Sequence, residues 1–484
     1  MKLIKEKWLK ETSLTLLLVV LILAVFLAIN TIFKNANINP LDFTSEKIYS
    51  LSNESKDEIS KIEQNVTLYF FGYTESETTV VLGKQYALVN NKINVQLITT
   101  SERPDLASKY NIKSTDKLVA VASSQRYKVI ESSDMYTYDS STEKTIDVTE
   151  QKLTNAILDV TVVNKPQVYF LTGHGEYGIS SQEEMYTLAQ YITNDVNDVN
   201  TLDLLSTEVP EKCDLLVIAN PVKDFTDVET EKILNYINNG GNIVWLQDPY
   251  INIQNYDTTN FVNTNKILAQ YGISFSKGIV CESNTDSMVS GYPDLIIPSL
   301  SYNTIVKDIF TDGKLVIPDA GKISNASDEE LEELNVTAEP FVKTTEDAYY
   351  KENFDSITGM EKSESDEEGT FIIGEKLTKK IDESKSSSLV AFSNAFFVTN
   401  YQIQIGQTYS TPINLRNNKD ILLNSVADLT NREDSIRIRK DTGLINFNTA
   451  TAKQDLVVRA IIFIVPIVLI IVGIVITIIR KRRK

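Results

Sequence analysis

An α/β fold held between two transmembrane helices is the class this sequence predicts, on three observations. Long apolar runs lie close to both ends of its 484 residues. Between them, apolar strand-like segments alternate with stretches of helical periodicity, the pattern of sheets covered by helices. From about residue 165 onward those segments, such as the LLVIA of DLLVIAN (214–220), are apolar throughout rather than alternating, as strands buried on both faces of a parallel sheet must be. At roughly 150 residues per domain, the length leaves room for about three units of ordinary size.

The ends set the expected topology. Residues 14–29, LTLLLVVLILAVFLAI, are apolar apart from Thr15, and the run continues with interruptions to Phe33. This predicts a transmembrane helix over 13–33, close to the ~20 residues a bilayer requires. Residues 456–479 predict a second, with Pro466 and Gly473 at positions a membrane helix tolerates and Arg459 near enough to the edge to reach the headgroups. Lys2, Lys5, Lys7 and Lys10 precede the first helix in the 1–12 segment, and the 480–484 tail is wholly basic. The positive-inside rule then puts both termini in the cytoplasm and everything between outside, a two-pass protein of the cell membrane. A cleaved signal peptide fits less well, because no good A-x-A site follows and the run is long for one.

Composition narrows the chemistry. Lys+Arg number 47 against 65 Asp+Glu, a formal charge of −18. Ten of the cations lie in the two tails and the second span, leaving 37 against 63 anions, about −26, for residues 13–455. Phosphate-backbone binding needs clustered cations, so nucleic acid is not an expected partner; a solvated surface, or one that steers basic partners, is. With one histidine and two cysteines, zinc sites built from four cysteines, or from two cysteines and two histidines, cannot form within the chain, and at most one Ser-His-Asp triad could exist. Cys213 and Cys281 could form one disulfide outside the cytoplasm or remain buried thiols.

Between the anchors, residues 34–61 read as a polar connector. The next segments, VTLYFFG (66–72), a helix over 77–91, INVQLITT (93–100), then KLVAVASS (117–124) paired with YKVIES (127–132), give the order βαβ…ββ. That order resembles a thioredoxin-like fold over 62–150, lacking the C-x-x-C that redox work requires, so a recognition or spacer role is expected. A doubly wound α/β domain is expected over 165–430. QVYFLTGHGEY (167–177) supplies a strand and a glycine-flanked loop. Ser181-x-x-Glu184 reads as a capping box before a helix with Met185, Leu188, Ala189 and Ile192 on one face. Thr226-x-x-Glu229 caps another, ending at Gly240-Gly241, and NIVWLQDP (242–249) and SSLVAFSNAFF (387–397) are further core strands, with a closing helix from Asn418 to Leu429. An insertion over about 255–385 carries the acidic runs SDEEL (327–331) and EKSESDEEG (361–369), expected as exposed loops. A membrane-proximal β-hairpin and linker spans 431–455.

Ligands of open parallel sheets bind beyond the carboxyl ends of the strands. Of those loops, Thr172-Gly173-His174-Gly175-Glu176 has the richest composition: the glycines free the backbone to approach a ligand, helix amides are expected close behind, and His174 with Glu176 could bind or transfer a proton. A tight strand-to-helix turn with His174 bonded locally is the simpler alternative. No nucleophile elbow exists, since Gly178-Ile179-Ser180 lacks the final glycine; no P-loop exists, since Gly83-Lys84 and Gly313-Lys314 lack the Ser/Thr. No cofactor or metal is expected, and the chain is not expected to be an enzyme.

TGHGE (172–176) after an apolar strand, FTSEKIYSLSNES (43–55), VETEKILNYINNGGNIVWLQDP (228–249), and FSNAFF (392–397) followed by NNKDILLNSV (417–426) together resemble the GldG-like auxiliary family of ABC transport systems, first associated with gliding motility. The resemblance implies an anchored subunit with an extracytoplasmic GIFT-type (flavodoxin-like) α/β domain, assisting an ABC permease and a separate ATPase in the bilayer. It names no catalytic residues. Phe392, Ser393 and Ala395 stand where the family has Gly, Asp and Asp in a GDSDF-like phrase, so that loop cannot supply the family's carboxylates. The expected function is therefore a non-catalytic accessory subunit of an ABC-2-type transport system; the alternative is an extracytoplasmic ligand-binding sensor or degraded hydrolase using the TGHGE loop.

Overall fold

The structure is a computed structural model that describes residues 49–113, 117–139, 144–162, 164–250, 261–289, 291–307, 309–310, 314–352 and 360–432. Both expected transmembrane helices, the two cytoplasmic ends and all but residues 431–432 of the expected hairpin and linker lie outside the described residues. Among the described residues no helix is long and apolar enough to cross a membrane. The architecture is mixed α/β, in two sheet-centred units.

In the first unit, helix α1 (Asn53–Ser60) precedes β1 (Val66–Phe71), α2 (Thr78–Val89), β2 (Ile93–Ile98), α3 (Pro104–Lys109), β3 (Leu118–Ala122) and β4 (Tyr127–Glu131). A hairpin of β5 (Tyr136–Asp139) and β6 (Lys144–Asp147) leads into α4 (Thr149–Thr161). The sheet order is β2-β1-β3-β4, with β1 and β2 parallel and β3 antiparallel to both its neighbours. The central strands are the most apolar because both faces are covered. Leu68, Phe70, Tyr86, Leu153 and Ile157 share one core, and Phe71, Leu106, Tyr110 and Ala120 share the other. Gly83 permits α2 to lie close on the sheet, since a Cβ there would come within 2.5 Å of Phe70 Cζ. Leu51 and Ile59, inside the stretch read as a connector, are buried in this core, and Asn90 Nδ2 donates to the Ile59 and Ile62 carbonyls at the end of α1.

The second unit begins with β7 (Gln167–Thr172), α5 (Tyr186–Asn194), β8 (Asp198–Asp203), β9 (Leu215–Ala219), α6 (Asp227–Asn238), β10 (Asn242–Leu246) and α7 (Val262–Leu268). It continues with β11 (Ile273–Phe275), β12 (Ile323–Asn325), α8 (Asp328–Glu333), β13 (Val336–Lys343), β14 (Ile372–Lys380), β15 (Ser386–Phe392) and α9 (Asn418–Leu429). The large sheet runs β11-β12-β14-β15-β10-β9-β7-β8, with β13 also paired to β14. Its parallel half is β15, β10, β9, β7 and β8. Numbered by appearance, those five strands lie in the order 2-1-3-4-5. Helices cover both faces: Leu188 and Ile192 of α5 with Ile421 and Val426 of α9 on one, Ile233 and Ile237 of α6 with Ile267 and Leu268 of α7 on the other.

Three local expectations differ from the structure. Ser181-x-x-Glu184 is not a capping box: the helix starts at Tyr186, and Glu184 turns back to accept from the Gly178 amide at 2.5 Å. The donor it satisfies belongs to the preceding loop rather than to a helix end. The SDEEL run is not a loop but opens α8, where Ser327 caps Glu330 reciprocally and acidic residues fill the first turn, the placement the helix dipole favours. The segment read as an insertion supplies β11 to β14, the antiparallel half of the same sheet. Cys213 and Cys281 are free and buried in separate clusters, with burial pushing their thiols up to about 11 and about 12 respectively.

Candidate functional site

The strand order places one position apart from the others. From β7 the chain crosses outward to β8, then returns past β7 to β9 and continues to β10, so the strand order reverses between β7 and β9, the position where open α/β sheets place ligands. The loop leaving β7 is Thr172 to Glu176; that leaving β9 begins at Asn220, held in the left-handed region at φ 60°.

In the first loop, Gly173 (φ 123°) and Gly175 (φ 81°) adopt backbone conformations that L-residues avoid. Thr172 Oγ1 donates to the Leu202 carbonyl at 3.2 Å. The His174 amide donates to Glu176 Oε2 at 2.7 Å, and its carbonyl accepts from the Val222 and Lys223 amides, which binds this loop to the one after β9. The His174 ring is 4.5 Å from Phe225 between centroids, and its side chain is only 6% exposed. Nδ1 lies 3.3 Å from Glu176 Oε1 and Nε2 lies 3.2 Å from Glu229 Oε2. Burial presses the imidazole toward its neutral form, but the two carboxylates, Glu176 foremost, outweigh it and raise the pKa above the ordinary value.

Glu229 is the residue the sequence reading did not connect to this loop. It is the third residue of α6, where Thr226 and Glu229 form the predicted capping box, and its Oε2 accepts from Thr226 N and Oγ1 as well as facing His174. The helix amides expected behind TGHGE are therefore not those of α5, which begins at Tyr186; the helix end that meets the loop is that of α6, across the sheet order.

The neighbouring strand ends form a second polar group. Asn220 Oδ1 accepts from Gln247 Nε2 and the Asp248 amide. Asp248 Oδ2 accepts from Tyr177 Oη at 2.7 Å, while Oδ1 accepts from the Ala395 and Phe396 amides at 2.7 and 2.9 Å. Burial raises the Asp248 pKa despite those donors. Asp319, in the left-handed region at φ 47°, is pushed up to about 6 by burial and by the Asp294 and Asp248 charges. Ser393 Oγ donates to the Gly321 carbonyl and Asn394 Nδ2 to that of Pro318, so the FSNAF phrase closes this end of the sheet with neutral groups. Among the described residues, no group of three or more His, Cys, Asp or Glu side chains could hold a metal ion.

Residues 165–291 match the ABC-type uncharacterized transport system family. The match to this auxiliary family spans the TGHGE loop, β7 and β9 on either side of the reversal, and α6 with its capping box, and it bears out the resemblance carried by TGHGE and VETEKILNYINNGGNIVWLQDP. No curated protein matches the chain. Among solved structures, the mmIFT52 N-terminal domain aligns at 14% identity and a TM-score of 0.38, over 54% of this chain and 97% of that one. A thua-like protein from Bacteroides uniformis aligns at 12% identity and a TM-score of 0.31, over 55% and 93% respectively. The exo-β-1,4-mannosidase Op5Man5 from an Opitutaceae bacterium aligns at 9% and 0.26, over 60% and 38%. At these scores the alignments carry no inference.

The turn geometry within the family segment is itself testable. A Cβ on Gly175 would sit 2.5 Å from Val222 Cγ2, whereas one on Gly406, also left-handed at φ 64°, meets nothing within 4 Å. Gly175→Ala is expected to lower stability by about 1–3 kcal/mol and Gly406→Ala by less, because only the first adds a clash to backbone strain. Equal losses in thermal denaturation would show that contact with the second loop is not what constrains Gly175.

Proposed function

We propose that the protein is a non-catalytic, membrane-anchored accessory subunit of an ABC-2-type transport system, whose extracytoplasmic domains dock on or gate a permease that works with a separate ATPase. The observation that carries this reading is the family match over residues 165–291. It is supported by the terminal apolar runs, which fit two membrane anchors with cytoplasmic ends, and by the absence of nucleotide-binding and nucleophile motifs from the sequence. The order β2-β1-β3-β4 supports a thioredoxin-like recognition or spacer domain; the order 2-1-3-4-5 supports a flavodoxin-like, GIFT-type domain. His174, the best candidate for chemistry, already has a carboxylate at each ring nitrogen, which favours a structural role for TGHGE over a ligand-binding one.

The test is affinity purification of the tagged full-length protein from its native membrane in mild detergent, with mass spectrometry of what accompanies it. Stoichiometric recovery of a permease and an ATPase is the expected result. Recovery of the chain alone would overturn the accessory-subunit reading and return attention to a sensor that acts through the β7 loop.

A further inference from the structure

The contacts of His174 fix its protonation by counting. A neutral imidazole has one N–H, so in either tautomer the other nitrogen would turn a lone pair toward a carboxylate oxygen 3.2 or 3.3 Å away. A doubly protonated ring satisfies both contacts. Moving the extra proton to a carboxylate does not serve as well, because each acid already accepts hydrogen bonds from other donors. Glu176 Oε2 accepts the His174 amide, and Glu229 Oε2 accepts two donors from Thr226. Burial works against the Glu229 anion, but those donors and His174 hold its pKa below the ordinary value.

The surroundings are consistent with a cation. From its own loop His174 faces Glu176, and from α6 it faces Glu229. At the end of β8, Asp203 lies beside Gly173, its Oδ1 3.9 Å from where a Cβ would be. The segment between β9 and α6 contributes the Phe225 ring and Lys223, whose amide donates to the His174 carbonyl and whose residue is exposed. The third acid and the exposed lysine are of opposite sign, so the two contacting carboxylates decide the field.

We propose that His174 is a buried imidazolium that latches the loop after β7 to the first turn of α6, so that its deprotonation as pH rises releases the loop and makes this junction pH-sensitive. The sign follows from linkage. A histidine whose folded pKa is raised adds stability that is fully present below about 6.5, its unfolded value, and is lost as pH rises through the folded value.

His174 is the sole histidine in the sequence, so its ring gives one unambiguous resonance set in the intact chain. The experiment is an imidazole 15N titration of the full-length protein in detergent, labelled in histidine and purified without a polyhistidine tag. Both nitrogens protonated at pH 6.5, with a midpoint above that ordinary value, is the expected result. Glu229→Gln should bring the midpoint down. A single neutral tautomer at pH 6.5, or a midpoint at or below the ordinary value, would overturn the imidazolium. Hydrogen exchange tests the latch: protection factors of Val222 and Lys223 should fall across the same midpoint while those of β9 hold. Constant protection across that range would overturn the release.

Discussion

Replacing Asn418 with alanine is expected to destabilise the protein by about 3–5 kcal/mol. The side chain is fully buried at the start of α9 and has four backbone groups within hydrogen-bonding distance. Its Oδ1 accepts from the Val316 amide at 3.0 Å, while Nδ2 lies within bonding distance of the Val316, Phe397 and Pro412 carbonyls at 2.7, 3.2 and 2.9 Å. One amide thus joins the segment before β12, the turn after β15 and the approach to α9. Alanine would leave those groups buried and short of partners, each lost partner costing roughly 1–3 kcal/mol before relaxation. Asn418→Asp, which keeps the acceptor but loses both donors, should be at least as damaging. Denaturant unfolding reads both; a loss under about 1 kcal/mol for alanine would show that neighbouring groups replace the bonds.

The opposite sign is expected at Glu375. This residue lies on β14 between Pro340 of β13 and Ala391 of β15 and is fully buried. Oε1 accepts from Asn325 Nδ2 at 2.7 Å, while Oε2 and Asn325 Oδ1 have no hydrogen-bond partner. Burial pushes the carboxyl from 4.5 up to about 7, with the Asn325 bond and the Lys343 charge offsetting only part of the effect. The folded state therefore holds a proton that the unfolded chain gives up near 4.5, and stability falls as pH rises from there through about 7. Glu375→Gln removes the titration and offers a donor to Asn325 Oδ1. At roughly 1.4 kcal/mol per pH unit, it should stabilise the protein by about 3 kcal/mol at pH 8 and by little below pH 5. Equal melting shifts at both pH values would mean that shape rather than charge governs the site.

Strand and helix patterns made the parallel core readable, and the limits of that reading are physical. LLVIA and the IVWL of β10 are apolar throughout because each is covered on both faces, and Thr226-x-x-Glu229 is a cap because its partners lie three residues apart. β8 escaped notice because DVNTLD is an edge strand whose outward residues are polar. SDEEL looked like a loop because charge density says nothing about the capping box that Ser327 and Glu330 complete. The TGHGE loop was found as a composition, yet its decisive contact was not. Glu229 lies 55 residues from His174 and meets it only because β9 returns beside β7, a fact of topology with no local signature. The antiparallel strands of 273–380 were hidden for the same reason: β11 and β12 are three residues each, and the longer β13 and β14 take their register from one another and from β15 rather than from their own sequence.

That dependence on β15 shapes how the chain reaches its native state. The strand sits between β10 and β14, and the bond from the Ser388 amide to Asn242 Oδ1 closes a separation of 146 residues. Until residue 392 is available, β10 presents an open edge, and the antiparallel strands have no parallel half to join. Closing so long a loop costs entropy before any contact repays it, which puts this step among the slow, non-local ones. The β14–β15 hairpin is thus the last wedge of the sheet, and the interval before it seats is when the exposed β10 edge is most open to aggregation.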